Sequence, residues 1–202
     1  MKIIFDLDYT LLDTGRFKKK LAEIFIKEDF QADYKKYFKD EGVNFDFEKY
    51  LTILKGQGRL DGRREKELRL NLAELLARLD NYLFKETGRV LKDLKAGGAE
   101  LILLTFGDKK WQEIKANNLS VSRYFNKIIF EEKAKAGGEY LKSLKNAGAE
   151  VLIVNDNAEE TKAIVKIIGR KTRVFLINGP YAENIKHHWP INNIGKLKYD
   201  HK

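Results

Sequence analysis

Short apolar runs alternate with helical patterns along the C-terminal half of the chain, and one such run also begins the sequence. Residues 2–7 (KIIFDL) combine β-branched and aromatic side chains without a helical period, which predicts a buried strand. Because the later strands are also apolar throughout, we expect a parallel sheet covered by helices on both faces. The later helices are predicted near 89–96, from 108, at 138–146 and at 158–168, and the strands at 101–105, 127–130, 151–154 and 173–177.

Two of these helix-to-strand units resemble each other in sequence. LKAGGAELILLT (94–105) aligns with LKNAGAEVLIVN (144–155) without gaps. Each unit places a glycine, Gly98 or Gly148, where a helix would end in a left-handed residue, and an apolar strand follows. The repetition supports parallel strands that are joined through helices.

The segment between the first strand and the alternating region is helical in character. Between residues 15 and 88, apolar side chains recur at helical spacing in pieces that glycines separate. Roughly 70 residues are too many for a simple connection inside a compact domain. We therefore predict an α/β core of residues 1–14 and 89–202 with an inserted helical subdomain of residues 15–88. Since the insertion follows the first strand, we expect it near the edge at which open α/β sheets bind ligands.

Composition excludes several kinds of chemistry and location. The 202 residues include no cysteine, which excludes disulfides, thiolate metal sites and cysteine nucleophiles. No apolar run reaches the ~20 residues that a membrane span needs, so no membrane partner is predicted. Asp6 and Asp8 interrupt the N-terminal stretch where an export signal would be apolar. We therefore expect a cytoplasmic protein, with a monomer as the default oligomeric state.

The net charge of +9 lies mainly in the C-terminal half, where residues 89–202 carry a net charge of +8. A basic surface of this kind allows nucleic-acid or phosphate-bearing partners. The chain shows no RNP-type or zinc-finger pattern, and solvated lysine faces account for the same excess. Nucleic acid therefore stays open as a partner without being the favoured one.

Polar side chains follow three of the predicted strands. Asp6 and Asp8 come at the end of the first strand, Thr105 ends the strand at 101–105, and Asp156 follows the strand at 151–154. Because parallel strands end at the same edge of a sheet, we expect these side chains to converge. Carboxylates in one cleft repel each other unless a cation neutralises them, and oxygen ligands at this density suit Mg²⁺. Two carboxylates at a strand end can also divide the roles of nucleophile and general acid/base.

The order of these motifs resembles that of the haloacid dehalogenase (HAD) superfamily over nearly the whole chain. The family's D-x-D-x-T motif, placed after an N-terminal hydrophobic strand, is matched by DLDYT at residues 6–10. The strand that ends in Thr105 is similar to the second motif, and VLIVND with Asp156 is similar to the fourth. The helical insertion resembles the family's C1-type cap. The resemblance implies a Rossmann-like, doubly wound parallel sheet as the core, with a helical cap subdomain.

The family's third motif, a lysine, has two candidates. Lys135 stands four residues before Glu139, a spacing similar to that of many relatives, although the accompanying prolines are missing. Lys133 lies closer to the preceding strand and beside acidic residues. We assign the role to Lys135, with Lys133 as the alternative.

The fourth motif departs from the pattern of many relatives, in which Gly-Asp is followed by a second aspartate. Asn155 replaces the glycine, and Glu160 stands four residues after Asp156. Glu160 is either a carboxylate that supports the metal or an acid that the first turn of a helix favours.

The resemblance implies a Mg²⁺-dependent phosphatase that hydrolyses small phosphate monoesters through an aspartyl-phosphate. Asp6 would be the nucleophile, and Asp8 the general acid and then the general base. Mg²⁺ would be held by the Asp6 carboxylate, the Asp8 backbone carbonyl, Asp156 and waters. The implied partner is a small phosphorylated metabolite, whose identity the sequence does not reveal. Three residues would contact the phosphate oxygens: Thr105, Phe106 and Lys135.

Two other functions are compatible with the same residues. A phosphotransferase or phosphomutase would use them without releasing phosphate to water. A non-catalytic module would retain the fold for binding, with nucleic acid as one ligand that the basic half allows. The intact pair of Asp6 and Asp8 favours an enzyme, since a binding scaffold has no need of two close carboxylates. Asp8 also argues against the dehalogenase branch, which resembles this fold and lacks that acid/base aspartate.

Overall fold

The structure is a computed structural model, which describes residues 1–25, 28–132, 138–146, 150–169 and 171–198. None of the helices in these ranges is long and apolar enough to cross a membrane. The strands are β1 (Lys2–Phe5), β2 (Glu100–Phe106), β3 (Lys127–Glu131), β4 (Val151–Asn155), β5 (Thr172–Ile177) and β6 (Ile191–Asn192). The α-helices are α1 (Thr14–Ile24), α2 (Phe30–Tyr34), α3 (Phe47–Gly56), α4 (Gly62–Ala77), α5 (Thr87–Ala96), α6 (Lys109–Asn117), α7 (Glu139–Asn146) and α8 (Ala158–Ile168). A π-helical turn (Lys35–Lys39) follows α2, and 3₁₀ turns lie at Leu79–Tyr82, Ser120–Tyr124 and Ile194–Lys196.

The strands form one parallel sheet in the order β3-β2-β1-β4-β5-β6. The central strand is β1, whose Phe5 pairs with Leu103 of β2 on one side and with Val154 of β4 on the other. The predicted parallel α/β sheet is therefore confirmed. The three strands that end in candidate functional residues are neighbours in this sheet, which positions their polar ends side by side.

Both faces of the sheet are covered, which explains why the central strands β1, β2 and β4 are largely apolar. On one face Phe5 meets Phe125 edge-on, with ring centroids 5.9 Å apart, and α5 buries Leu91 and Leu94. Each fully buried aliphatic or aromatic side chain contributes about 1.5–3 kcal/mol to stability. Packing on both faces therefore holds the strands, and with them the residues at their ends, in place. The other face packs against α7 and α8 through Ile4, Ile102, Leu104, Leu141, Leu144, Val151, Ile153, Ile164 and Ile168.

The sheet differs from the sequence prediction at both ends of the chain. The first strand ends at Phe5 rather than at Leu7, because the chain turns at Leu7. The short strand β6 pairs with β5 and was not predicted, since two residues carry too little pattern to indicate a strand. Gly98 has the left-handed φ of +82° expected at the end of α5. Its counterpart Gly148 lies outside the described residues.

The chain divides into two compact units. One comprises Met1–Asp13, Leu83–Phe106 and Ser120–Lys202, and it contains the sheet. The other comprises Thr14–Tyr82 and Gly107–Leu119, and its described residues are largely helical. This helical unit thus includes α6 in addition to most of the predicted insertion. The proposed division into core and cap by sequence position stays a prediction.

Aromatic side chains form much of the core of the helical unit. Phe25 and Tyr50 are fully buried, and the Phe25 ring stacks on Phe30 with centroids 5.2 Å apart. The rings of Phe17 and Trp111 lie 6.3 Å apart. Aromatic pairs at such separations add about 0.5–1.5 kcal/mol each beyond the burial of their area. These aromatic residues therefore stabilise the fold of the helical unit.

Two buried carboxylates of the helical unit are paired with arginines. Arg64 donates from Nε and Nη2 to the two carboxylate oxygens of Glu28, at 2.6 and 2.9 Å. Asp33 accepts a hydrogen bond from the Tyr50 hydroxyl at 2.8 Å and pairs with Arg59 at 2.9 Å. Hydrogen bonding to Glu28 raises the pKa of Arg64 above its ordinary value, and burial next to Asp33 raises the pKa of Tyr50. Both groups therefore keep their protons over the ordinary pH range.

Replacing Arg64 by alanine should destabilise the protein, because the Glu28 carboxylate would stay buried without its cation. Breaking a buried pair in this way lowers the free energy of unfolding by about 3–5 kcal/mol. The matched control is Arg63→Ala, an exposed neighbour on α4, for which a change within about 0.5 kcal/mol is expected. Urea denaturation at pH 7 measures the free energy of unfolding of both variants. Equal decreases would contradict the pairing of the buried Glu28 carboxylate with Arg64.

Candidate active site

The first strand leads Asp6 into a tight turn. The Leu7 carbonyl accepts the backbone N–H of Leu11 at 3.0 Å. Tyr9 has a φ of +60°, in the left-handed region that glycine and asparagine favour. A non-glycine residue in this region costs about 1–3 kcal/mol, and such strain concentrates at functional sites. Asp8 is half-buried in the same turn, directly before the strained residue.

One hydroxyl group joins the end of β1 to the end of β4. The Thr10 hydroxyl lies 3.1 Å from Asp6 Oδ2 and 3.5 Å from Asp156 Oδ1. It also accepts the backbone N–H of Asp156 at 3.0 Å. A hydroxyl has a single proton to donate, so the shorter contact, to Asp6, is the stronger hydrogen bond. The two carboxylates therefore converge on the same hydroxyl from neighbouring strands.

Because both carboxylates are buried, bringing them together raises the electrostatic free energy of the site. Asp6 is 8% exposed and Asp156 is 3% exposed, and two such carboxylates repel each other unless a cation neutralises them. The described residues contain no group of three or more His, Asp or Glu side chains that could hold a metal ion. A cation here would therefore combine the two carboxylates with backbone and water oxygens. That donor set fits Mg²⁺, which usually keeps several waters and takes one or two carboxylates.

Side chains also build the turn between β4 and α8. The Asn155 Oδ1 accepts the backbone N–H of Asn157 at 3.1 Å, and its amide donates to Glu160 at 2.8 Å. The Asn157 Oδ1 caps α8 by accepting the Glu160 N–H at 3.1 Å. The Asn155 side chain thus stabilises this turn, at the position where many relatives carry glycine. Glu160 supports, through Asn155, the turn that carries Asp156.

Thr105 supplies a buried hydroxyl on the strand next to β1. It lies two residues beyond Leu103, the register partner of Phe5. The residue is 1% exposed, and its hydroxyl makes no hydrogen bond within the described part of the chain. A buried hydroxyl without a partner costs about 1–3 kcal/mol, which a ligand oxygen would offset. The next residue, Phe106, is partly exposed.

A loop of residues 178–184, which follows β5, borders this site. The Tyr181 ring meets the Tyr9 ring edge-on, with centroids 5.8 Å apart. The Tyr181 carbonyl accepts the backbone N–H of Ala158, the first residue of α8, at 3.2 Å. Gly179 packs directly against Asp156. Sequence reasoning missed these contacts, because Gly179 and the proline after it indicate only a turn.

The structure brings together part of the predicted site. Asp6 and Asp156 meet at Thr10, Thr105 lies on the adjacent strand, and Asp8 lies in the turn after β1. The bridging role of Thr10 was not predicted, although the D-x-D-x-T spacing contains the signal. The two lysine candidates lie outside the described residues: Lys133 and Lys135.

A family model described as haloacid dehalogenase-like hydrolase matches residues 3–174. Among solved structures, a protein assigned as a haloacid dehalogenase-like hydrolase from Burkholderia xenovorans LB400 is 20% identical. Its TM-score is 0.70, over 96% of this chain and 92% of its own. A protein assigned as a β-phosphoglucomutase from Thermotoga maritima is 18% identical, with a TM-score of 0.62 over 97% of this chain and 96% of its own.

A third similar structure is that of a protein predicted to be a phosphoglycolate phosphatase, from Haemophilus somnus 129PT. It is 16% identical, with a TM-score of 0.57 over 96% of this chain and 94% of its own. Two dehalogenases also share the fold. No curated protein sequence matches the chain. Structural likeness at these identities shows the fold alone.

The Thr10 hydroxyl should contribute measurably to stability. In Thr10→Val the backbone N–H of Asp156 loses its acceptor and stays buried, which lowers the free energy of unfolding by about 1–3 kcal/mol. Thr161→Val is the matched control, because Thr161 is fully buried and its hydroxyl has no hydrogen-bond partner within the described ranges. That variant should be neutral or more stable. Both variants are measured by thermal and urea unfolding. Equal changes in the free energy of unfolding would contradict the role of the Thr10 hydroxyl in joining the ends of β1 and β4.

Proposed function

The chain belongs to the family of haloacid dehalogenase-like hydrolases, and from this premise we propose that it is a Mg²⁺-dependent phosphatase of small phosphate monoesters. The observation that carries the proposal is the convergence of the Asp6 and Asp156 carboxylates on the Thr10 hydroxyl. Displacement at phosphorus by a carboxylate needs a cation beside the nucleophile, and a second carboxylate helps to hold it. Among proteins of the same fold, one is assigned as a β-phosphoglucomutase and one as a phosphoglycolate phosphatase, which agrees with phosphate chemistry.

Asp6 and Asp8 divide the proposed reaction into two steps. First, an Asp6 carboxylate oxygen bonds to phosphorus while the bond to the leaving oxygen breaks, and Asp8 donates a proton to that oxygen. Next, Asp8 takes a proton from a water molecule whose oxygen bonds to phosphorus. The bond between phosphorus and Asp6 then breaks, which releases phosphate and restores the carboxylate. Throughout, the hydrogen bond from Thr10 orients the Asp6 side chain.

The remaining residues hold the cation and the phosphoryl oxygens. Asp6, Asp156 and the backbone carbonyl of Asp8 would bind Mg²⁺, which would supply positive charge that offsets the repulsion between the nucleophile and the phosphoryl oxygens. The buried Thr105 hydroxyl would donate to a phosphoryl oxygen and so gain a partner. Negative charge spreads over these oxygens in the transition state, so donors placed there lower the barrier. We assign two further donors to the same oxygens: Phe106 through its backbone N–H, and Lys135.

Halide displacement and phosphoryl transfer make different demands on these residues. A halide leaves without a proton, so a dehalogenase has no use for a proton donor at Asp8. Transfer to a second substrate would use the same residues as hydrolysis and differs only in what accepts the phosphoryl group. Asp8 thus favours phosphate-ester chemistry over halide displacement. Within that chemistry we propose hydrolysis as the main reaction, with a small phosphorylated metabolite as the substrate.

Asp6→Asn should abolish phosphate release while leaving the fold intact, because the amide keeps the shape of the side chain and loses the nucleophilic oxygen. Loss of a nucleophile costs on the order of 10³-fold or more in kcat. The measurement is phosphate release from a panel of small phosphate esters with Mg²⁺, with circular dichroism as the check on folding. The control is Asp93→Asn, which changes an exposed carboxylate on α5.

Full activity in Asp6→Asn would contradict the nucleophile assignment. Wild-type protein that transfers phosphate to a second sugar phosphate, but not to water, would favour a phosphotransferase. Wild-type protein that is inactive on the whole panel while it binds nucleic acid would favour a binding module.

The third-motif lysine is tested by comparing two neighbouring substitutions. Lys135→Ala should lower kcat/KM at least ~100-fold, as expected for loss of a charge on the transferring phosphoryl group. Lys133→Ala should stay within a small factor of wild type, since we assign Lys133 no contact with the phosphoryl group. The reverse ranking in the same assay would move the role to Lys133.

A further inference from the structure

Gly179 approaches Asp156 more closely than any side chain could. A Cβ atom built on Gly179 would lie 2.7 Å from the Asp156 Cβ, 2.8 Å from its Oδ2 and 3.1 Å from its Cγ. Gly179 is not among the residues with a positive φ, so the backbone conformation itself accepts alanine. The requirement for glycine at this position is therefore steric, and it comes from one aspartate.

Only part of the crowded Asp156 side chain can move aside. Rotation about χ1 would move the Asp156 Oδ2 but not its Cβ, whose place is set by the backbone. That backbone is held by the hydrogen bond from the Asp156 N–H to Thr10 at 3.0 Å and by the turn that Asn155 and Asn157 build. Rotation would therefore displace the carboxylate without removing the contact with Cβ, and the rest of the relief would have to come from the loop.

The loop is also anchored on both sides. The Tyr181 carbonyl accepts the Ala158 N–H at 3.2 Å, and the Asn184 amide donates to Asn157 at 3.3 Å. At the other end, the Asn178 N–H donates to the carbonyl of Asn192 in β6 at 2.6 Å. The loop is thus attached to the N-terminus of α8 and to the edge of the sheet, which leaves it little freedom to retreat.

We propose that Gly179 is a positioning residue, which sets the place of the Asp156 carboxylate by leaving no space between the loop and that side chain. This inference rests on the proposed function, in which Asp156 binds Mg²⁺. An added methyl group would displace the carboxylate from its position beside Asp6 and weaken Mg²⁺ binding, although no ligand is removed.

The first measurement is Mg²⁺ affinity by isothermal titration calorimetry on the full chain without substrate. Gly179→Ala should raise the Kd for Mg²⁺ by ~10–100-fold, the usual effect of disturbing a residue that orients a metal ligand. Gly88→Ala is the control, because its Cβ would meet only Val121, at 3.9 Å, and alanine is a good helix former at this position in α5. That variant should bind Mg²⁺ as tightly as wild type.

The second measurement is a thermal-unfolding cycle that needs no metal. Gly179→Ala should lower the Tm in the wild-type background. In the Asp156→Gly background the crowded atoms are absent, so Gly179→Ala should lower the Tm little or not at all. An equal loss of Tm in both backgrounds, or a failure to fold in both, would overturn the proposal.

The two measurements separate this proposal from the proposed function. Wild-type protein that binds no Mg²⁺ would contradict the metal site and this role in binding it, while the cycle would still decide whether Gly179 and Asp156 are sterically coupled. Wild-type protein that binds Mg²⁺, together with a folded Gly179→Ala variant of equal affinity, would overturn the positioning role alone.

Discussion

Two buried carboxylates that share one hydroxyl group are the constraint on which the candidate site depends. Asp6 and Asp156 gain their proximity from neighbouring parallel strands, and the Thr10 hydroxyl contacts both. Mutual repulsion makes this arrangement unfavourable by itself, so the stability of the sheet beneath it has to compensate. The arrangement suits a protein that binds a cation, because the two negative charges that repel each other both attract the ion.

Most of the fold follows from the sequence because its strands are buried on both faces. An apolar run bounded by turn signals identifies such a strand, and the predicted helix at 158–168 agrees with α8 residue for residue. The strand β6 could not be found in this way, since its two residues are ordered by pairing with β5. Its existence depends on tertiary contacts that no local pattern encodes.

The candidate site was partly predictable for a similar reason. Asp6 and Asp156 are recognisable because they end apolar strands, and strand order then brings them together. Gly179 gave no comparable signal, since a glycine before a proline has an ordinary explanation as a turn. Its importance arises from a distance of about 3 Å between an added Cβ atom and Asp156, which lies in the turn after β4. Close approaches of this kind become visible only in three dimensions.

The central place of β1 has a consequence for how the protein folds during synthesis. Lys2 of β1 contacts Glu100 of β2, 98 residues later in the chain, and the other partner strand, β4, begins only at Val151. A nascent chain therefore carries β1, which leads into Asp6, for a long time before either neighbouring strand has been synthesised. Such non-local pairing slows folding and leaves apolar edges exposed in the interval. Most of the chain must therefore emerge from the ribosome before the candidate site can form.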